Sequence, residues 1–428
     1  RMEKSLQHLS LPDPLQRLVE SYIEKKVGKK WDDPVTLERI RTAITTQKRQ
    51  YWREGSKREI QYRTGYSVLA YLAYQMPVFF GQFQHLLFLL ASEGLLPEEM
   101  TVLDVGTGPG IIPLAIADFY RRLGHGSVTV HALESSDEHR EAFQFLVPAY
   151  TGTVPGVHVE PLIRGDLSSV DDSRLPHRID LIVFSNVLNE IPVSTGERAR
   201  ILHQYAPLLA ENGTVVLTEP ADLANSTELR RVSLATVSSG EYTLYAPCTF
   251  LWGRHCRPER CWSFAFYGEI APPLLMEALG RSPEGYRFLN TDMKMSYALL
   301  RKDGRTRCPH RIPAGSRFLP LSQLPRHVGK VVNVVAAVMS EDIGDRDHHV
   351  HLVCDGTAEK PVYVILPRYQ AGKNTRDLLE ARYGDLREFR EVLVRYNRTH
   401  DSYNLLLTAR SRVLPFTLPE GGRKKQNY

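Results

Sequence analysis

Residues 101–112 read Thr101-Val-Leu-Asp104-Val-Gly106-Thr-Gly108-Pro-Gly110-Ile-Ile112. A short apolar, β-branched run ends at an acid. Three glycines follow at alternate positions, and an apolar helical pattern then covers 111–121. The segment therefore reads as strand, tight loop and helix. Glycine at those positions lets the main chain turn sharply and lets a ligand come close to the backbone. Outward from this point, strand-like runs occur at 127–133, 157–163, 179–185 and 214–218. Helical patterns at 137–146 and 195–209 separate them, and a last strand is expected at 295–300. Such alternation predicts a mostly parallel sheet with helices on both faces.

A glycine pattern by itself is weak evidence, because dinucleotide sites use a related one. Here the spacing is GxGxG rather than GxGxxG, and Asp104 closes the strand just before it. Both features favour S-adenosylmethionine (SAM), with Asp104, Gly106, Gly108 and Gly110 around its amino-acid end. Glu134 ends the second strand, where a carboxylate can accept both ribose hydroxyls. Asp166 follows the third strand and is placed for the adenine edge. Ser185 and Asn186 close the fourth strand beside the methionine end. Each residue alone reads equally well as a loop or cap residue. Together they occupy successive strand ends, where such sheets bind ligands. The fold expected is α/β: a class I SAM-dependent methyltransferase (Rossmann-like) domain.

The chain has 428 residues, enough for two or three units, and 42% are hydrophobic, enough to bury cores. The expected division is a helical N-terminal region over 1–95 and a SAM-binding domain over 96–300. A Cys-bearing insertion lies at about 245–265, a basic connector at 301–324, a barrel at 325–416 and a basic tail at 417–428. Residues 66–90 are apolar and read as a buried helical segment. Gln75, Pro77, Gln82, Gln84 and His85 interrupt them, so they do not read as a membrane span. No membrane partner is expected. The first residues carry Glu3, Lys4 and Asp13 and no apolar signal core, which speaks against secretion. A cytoplasmic protein is the preferred expectation, or a mitochondrial matrix protein if a presequence has been removed. Nothing demands a dimer, so a monomer is expected.

The C-terminal region offers strands at 331–339, 350–354, 362–366, 391–396 and 403–409, with a helix at 375–381. That order fits an OB-like β-barrel, a common binder of single-stranded nucleic acid. Tyr363, Tyr396 and Tyr403 are candidate stacking faces. His348, His349 and His351 read as lying in or beside a solvated loop, and Cys354 as a structural thiol. Net charge is +5, and its placement is uneven. Lys25, Lys26, Lys29, Lys30, Arg39, Arg41, Lys48, Arg49, Arg53, Lys57, Arg58 and Arg63 crowd the N-terminal region. Arg301, Lys302, Arg305, Arg307, Arg311 and Arg317 form a second run, and Arg423-Lys424-Lys425 a third. Such runs suit a polyanion. Interleaved acids make a solvated helix face an equal reading of the first run.

Five cysteines in a chain without a secretion signal argue against a disulfide framework. Cys248, Cys256, Cys261 and Cys308 lie in the same part of the sequence but include no CxxC pair. On the residues alone, an iron–sulfur cluster, a zinc site and unrelated buried thiols all stay open. Arg254, Arg257, Arg260 and Arg307 flank the cysteines and would stabilise thiolates. His255 and His310 are the substitute ligands.

A resemblance narrows these choices. Tyr245-Ala-Pro-Cys248, Cys256, Cys261-Trp-Ser-Phe264 and Met295-Ser-Tyr297 before Cys308 follow a glycine-loop domain containing Val187-Leu188-Asn189-Glu190. The arrangement resembles the mitochondrial ribosomal small-subunit methyltransferase-like family (methyltransferase-like protein 17 and its yeast and prokaryotic relatives), over roughly residues 60–365. The resemblance implies a [4Fe–4S] cluster on Cys248, Cys256, Cys261 and Cys308 within a Cys-rich metal-binding insertion. It also implies action on the small ribosomal subunit and its rRNA, with the barrel engaging RNA. This chain departs from the family around the cysteines, where Cys-Pro-His stands at 308–310 instead of near the first cysteine.

For catalysis, the place after the fourth strand reads Ser185-Asn186-Val187-Leu188-Asn189-Glu190 rather than Asn/Asp-Pro-Pro-aromatic. Thr218-Glu219-Pro220 offers no thiol for attack on a pyrimidine ring. Asn189 and Glu190 are the weak catalytic candidates, with capping as their other reading. Methylation of an rRNA base nitrogen is the expected reaction. The competing expectation is a small-subunit assembly factor in which SAM and the cluster only support the fold.

Overall fold

A computed structural model describes residues 2–51, 65–309, 311–313 and 315–416. Arg53, Lys57, Arg58, Arg63, His310 and the 417–428 tail lie outside the described residues. The chain divides into two compact units. Unit one comprises residues 1–220, 235–243 and 266–304, and unit two comprises 221–234, 244–265 and 305–428.

Unit one opens with helices α1 (Met2–Leu6), α2 (Asp13–Val27), α3 (Pro34–Tyr51), α4 (Gly65–Tyr74) and α5 (Met76–Ser92). The apolar segment expected as one helix is thus two. Pro77 has no N–H to give the preceding turn and its ring crowds that turn, so the helix restarts there. Leu86, Leu87 and Leu90 of α5 are fully buried.

The sheet follows as β1 (Glu99–Val105), α6 (Ile111–Leu123), β2 (Ser127–Glu134), α7 (Asp137–Thr151), β3 (Val157–Val159), β4 (Ile163–Arg164), β5 (Ile179–Ser185), α8 (Thr195–Tyr205) and β6 (Leu209–Glu219). Then come α9 (Leu223–Ser238), β7 (Thr243–Ala246), β8 (Ala265–Glu269), α10 (Leu274–Leu279) and β9 (Asp292–Arg301). The order β3-β2-β1-β5-β6-β9 places β1 and β5 side by side at the centre. β1 runs parallel to β2 and β5, β5 parallel to β6, and β9 antiparallel to β6. Leu181, Ile182, Val183 and Phe184 are consecutive and all buried, as a strand covered on both faces requires.

Two expected elements differ. The strand at 157–163 is two short pieces, because Pro161 cannot donate to the ladder. The helix expected to reach residue 209 stops at Tyr205. Pro207 enforces a 3-10 turn over Ala206–Leu208, and Leu209 already begins β6.

Unit two contains β10 (Val331–Val338), β11 (His348–Cys354), β12 (Val362–Pro367), α11 (Arg376–Leu379), β13 (Leu386–Asn397) and β14 (Ser402–Pro415). The strands close a barrel in the order β10-β11-β12-β14-β13. Val334, Val364, Phe389, Val392 and Leu405 are fully buried in its core. His348, His349 and His351 belong to β11, which begins directly after the loop at 339–347. His351 is buried, and His349 pairs with Asp342 at 2.6 Å. Extended backbone and the pairing of β11 with β12 override the polar composition of that stretch. The three tyrosines do not form one row. Tyr396 and Tyr403 face each other across β13 and β14 with ring centroids 5.2 Å apart. Tyr363 lies between the buried Val362 and Val364, so it points to the barrel's outer wall.

Candidate S-adenosylmethionine site and the cysteine-bearing loops

Register fixes which strand ends meet. Asp104 stands opposite Ala132 on β2 and Val183 on β5, and Ser185 stands opposite Thr218 on β6. Asp104, Glu134, Ser185 and Thr218 therefore gather at the carboxyl ends of adjacent strands. The chain winds one way from β1 to β3 and the other way from β5 to β9, so the site lies where the winding reverses.

The glycine loop is anchored to β2. Gly106 and Thr107 both donate their N–H groups to the Leu133 carbonyl at 2.9 Å. Gly106, Gly108 and Gly110 all have positive φ, at 71°, 59° and 95°. A Cβ on Gly106 would stand 2.7 Å from Val187 Cγ1, and one on Gly110 would stand 2.2 Å from Val147 Cγ2. The first glycine is thus required where the loop meets the end of β5, the third where helix α6 begins against α7. The second faces His139 with more room, 3.6 Å from Nδ1.

Glu134 is a brace as well as a candidate ligand. One carboxylate oxygen accepts the Gly108 N–H at 2.8 Å, the other the Ser136 N–H at 2.8 Å. Burial pushes its pKa up, and those two N–H groups pull it back. Each oxygen keeps a lone pair, so a ribose hydroxyl can still be accepted. Asp104 differs. It is 1% exposed, and neither of its oxygens has a hydrogen-bond partner. Burial pushes its pKa up to about 7 and the Glu134 charge adds to this, while the Thr107 hydroxyl, itself without a hydrogen-bond partner, lies near enough to pull the other way. A buried carboxylate without a donor is costly unless a ligand supplies one. The ammonium of SAM is a donor of the right charge. The residues present therefore fit that cofactor.

The remaining expected residues are more peripheral. Asp166 is exposed, and its Oδ1 takes the Ser168 N–H at 2.7 Å and the Ser168 hydroxyl at 2.6 Å. Ser185 Oγ lies 2.9 Å from Thr218 Oγ1, and the Asn186 N–H reaches the Thr218 carbonyl at 2.9 Å. Asn186 has φ 57°, a left-handed conformation that asparagine tolerates. Asn189 and Glu190 belong to a 3-10 turn, Leu188–Glu190, beyond the strand end. His139 gave no signal in the sequence, and Val187, Thr218 and Glu219 stood there without a role at the cofactor site. Val187 closes on Gly106, and the ring of His139 meets that of Tyr71 edge-on at 5.4 Å. Burial pushes the His139 pKa down to about 4, so it is neutral. Thr218 and Glu219 end β6, a position the sequence reading inspected only for a thiol.

All five cysteines are free thiols, and all lie in unit two. Among the described residues, no group of three or more His, Cys, Asp or Glu is placed to hold a metal ion. Burial and the neighbouring thiols push the Cys256 pKa up to about 12, and Cys248 is raised by burial too. Cys248, Cys256, Cys261 and Cys308 do not form a metal-holding group among the described residues. Cys308 packs against the apolar Leu251, Ile312 and Val335. The flanking arginines are also engaged elsewhere: Arg254 with Ser322, Arg307 with Asp385. The cation that lowers the Cys248 and Cys256 pKa values is Arg230.

Much of the positive charge is likewise spent inside the fold. Arg301 is 1% exposed and paired with Asp303, Lys302 caps the Ala206 and Leu209 carbonyls, and Arg317 pairs with Glu388. In the N-terminal run, Lys26 pairs with Glu141, Lys25 lies over the Phe145 ring, and Arg41 binds the Ala278 and Leu279 carbonyls. No helix among the described residues is long and apolar enough to cross a membrane.

Residues 73–260 match the methyltransferase domain family, and residues 322–416 match the C-terminal domain of a family described as a domain of unknown function (DUF8157). No curated protein matches the chain. Among solved structures, the phosphoethanolamine N-methyltransferase 1 of Haemonchus contortus, with phosphoethanolamine and S-adenosylhomocysteine, shares 15% identity over 44% of this chain and 34% of its own, at TM-score 0.25. The magnesium protoporphyrin IX methyltransferase of Synechocystis, with bound SAM, shares 11% over 68% of this chain and 99% of its own, at 0.31. A SAM-dependent methyltransferase of Leishmania major shares 15% over 66% and 90%, at 0.33. The chain spans about a third of the length of the first of these. The family match falls on the same strands and glycine loop that the geometry marks as the ligand site. Over residues 73–260 this chain carries a methyltransferase domain.

Proposed function

We propose that the chain methylates a base nitrogen of small-subunit ribosomal RNA. The observation that carries the methyl-donor half is Asp104, a buried carboxylate with no donor, at the mouth of a glycine loop. Bound SAM would supply an activated methyl group. Asp104 would pair with its ammonium, and the loop N–H groups and Glu134 would hold the rest of the molecule. Ser185, Asn186 and Thr218 form one hydrogen-bonded edge beside that position and would align the acceptor. Alignment of acceptor and methyl group is the main requirement of the reaction. The RNA half of the reading is supported by the five-strand barrel order, by the Tyr396–Tyr403 pair and by the resemblance in the cysteine-bearing segments. The test is transfer from labelled SAM to small subunits purified from cells lacking this protein. Label on one rRNA base is the expected result. Label on no RNA would remove the substrate.

The resemblance further implies a [4Fe–4S] cluster, with zinc as the other option. No step is drawn through it, since the thiols as placed do not form the set. Metal analysis of anaerobically purified protein decides this point. Stoichiometric iron, lost on Cys256→Ser, would support the cluster; protein free of iron and zinc would remove it.

A further inference from the structure

Several described cations of the N-terminal run have internal partners, but two of them, with Arg287, face a cavity in unit one. The cavity has a volume of about 440 Å³ and is lined by Thr45, Lys48, Arg49, Arg287 and Phe288. That size falls within the range of roughly 300–1,000 Å³ typical of ligand pockets. The chemistry of the wall is one-sided. Arg49 is exposed and has no acceptor among the described residues. Lys48 reaches in from α3 and donates to the Arg287 carbonyl, with the Tyr74 ring 4.4 Å from its Nζ. Arg287 pairs with Glu284 at 3.2 Å, which offsets one charge of three. Burial pushes the Lys48 pKa down, and the nearby Arg287 charge adds to this.

A second observation lies next to the cavity. Tyr286 is 70% exposed, among the most exposed large aromatic residues of the chain, and the Arg287 guanidinium carbon lies 6.0 Å from its ring centroid. Cations at a concave wall beside an open aromatic face match a single-stranded nucleic acid: phosphates for the former, a base for the latter. Phe288 does not compete for this role. It is 9% exposed, and Arg41 lies over its ring at 5.9 Å.

We infer that Lys48, Arg49, Arg287 and Tyr286 form a docking site for single-stranded RNA, separate from the SAM loop, with phosphates in the cavity and one base on Tyr286. The choice of RNA rests on the proposed substrate. The test uses the full chain and a labelled single-stranded RNA oligonucleotide, with binding followed by fluorescence anisotropy at several salt concentrations. The variants are Arg49→Ala/Arg287→Ala and Tyr286→Ala. All three positions are exposed and lie outside the SAM site, so SAM binding by calorimetry serves as the folding control. Each phosphate contact contributes about 0.7 to the salt slope for single strands, so the double variant should lower it by about 1.4. Tyr286→Ala should weaken binding at least about fivefold and leave the slope unchanged. Wild-type binding unchanged in both variants overturns the site, and label transfer to rRNA would still leave the substrate reading standing. Binding lost in the variants, with no rRNA ever labelled, keeps the site and overturns the substrate. No binding by the wild type overturns the site outright.

Discussion

At Gly106 and Gly110 the same residue type answers two different demands. A side chain at 106 meets Val187 at the end of β5, while one at 110 meets Val147 and Phe143 of α7. Gly106→Ala adds a left-handed backbone cost of about 1–2 kcal/mol and displaces the loop. We expect SAM affinity to fall about tenfold or more, as titration calorimetry would read. Gly110→Ala adds an overpacking cost of about 1–3 kcal/mol in a buried helix contact, so its main effect should be a lower Tm. Equal effects of both on Tm would contradict this division. Asp104 gives a pH signature. Its carboxyl has a pKa of about 7 in the fold against an ordinary 3.8, so folding takes up a proton between those values. Its contribution to stability therefore falls as pH rises through that window. A cationic ligand favours the ionised form. SAM affinity should rise from about pH 6 to about pH 8 and level off above, as the carboxyl loses its proton unaided. Asp104→Asn should bind weakly with a flat profile, and a steep profile in that variant would assign the titration elsewhere.

Among the elements, α6 depends on a single buried acid. Asp118 is fully buried and accepts from Arg122 Nε at 2.8 Å, from Arg121, and from the Tyr150 hydroxyl of α7 at 3.3 Å. Asp118→Ala leaves those groups without their shared acceptor, with Tyr150 and part of Arg122 buried. A loss of about 3–5 kcal/mol is expected in denaturant titration, and a loss under 1 kcal/mol would place the support elsewhere. This hub was not legible in the sequence, since it also takes the Gln84 amide of α5 at 3.4 Å and so joins residues from α5, α6 and α7. What was legible is local. Asp104, the glycines and Glu134 sit at strand ends that hydrophobic patterning alone reveals, and the barrel strands announce themselves by β-branched runs. Proline set the errors: Pro77, Pro161 and Pro207 each cut an element that apolar patterning read as continuous. The cysteines were legible as a sequence cluster, but spacing says nothing of where thiols point. Here Cys308 packs against the apolar cluster of Leu251, Ile312 and Val335, a contact that spacing could not announce.

For the molecule as a whole, the two compact units do not follow each other along the chain. Residues 221–234 and 244–265 belong with the barrel, yet they are encoded between parts of the methyltransferase fold. Leu251 and Val335 share one apolar cluster, and Tyr383 bonds both Arg230 and Ser263. A fragment ending at residue 304 would keep every strand from β1 to β6 and still expose Leu251, whose cluster partners Ile312 and Val335 lie beyond it. We expect that fragment to aggregate or to bind a hydrophobic dye strongly. A monomeric, dye-silent fragment would contradict the division. The interleaving also has a consequence in time. During synthesis the ribosome releases the thiol-bearing loops well before the barrel that completes their unit, so they must wait, reduced and uncovered, until the last strand emerges. Oxidation or metal capture in that interval would act on a nascent chain, and chaperones that shield thiols would have their chance only then.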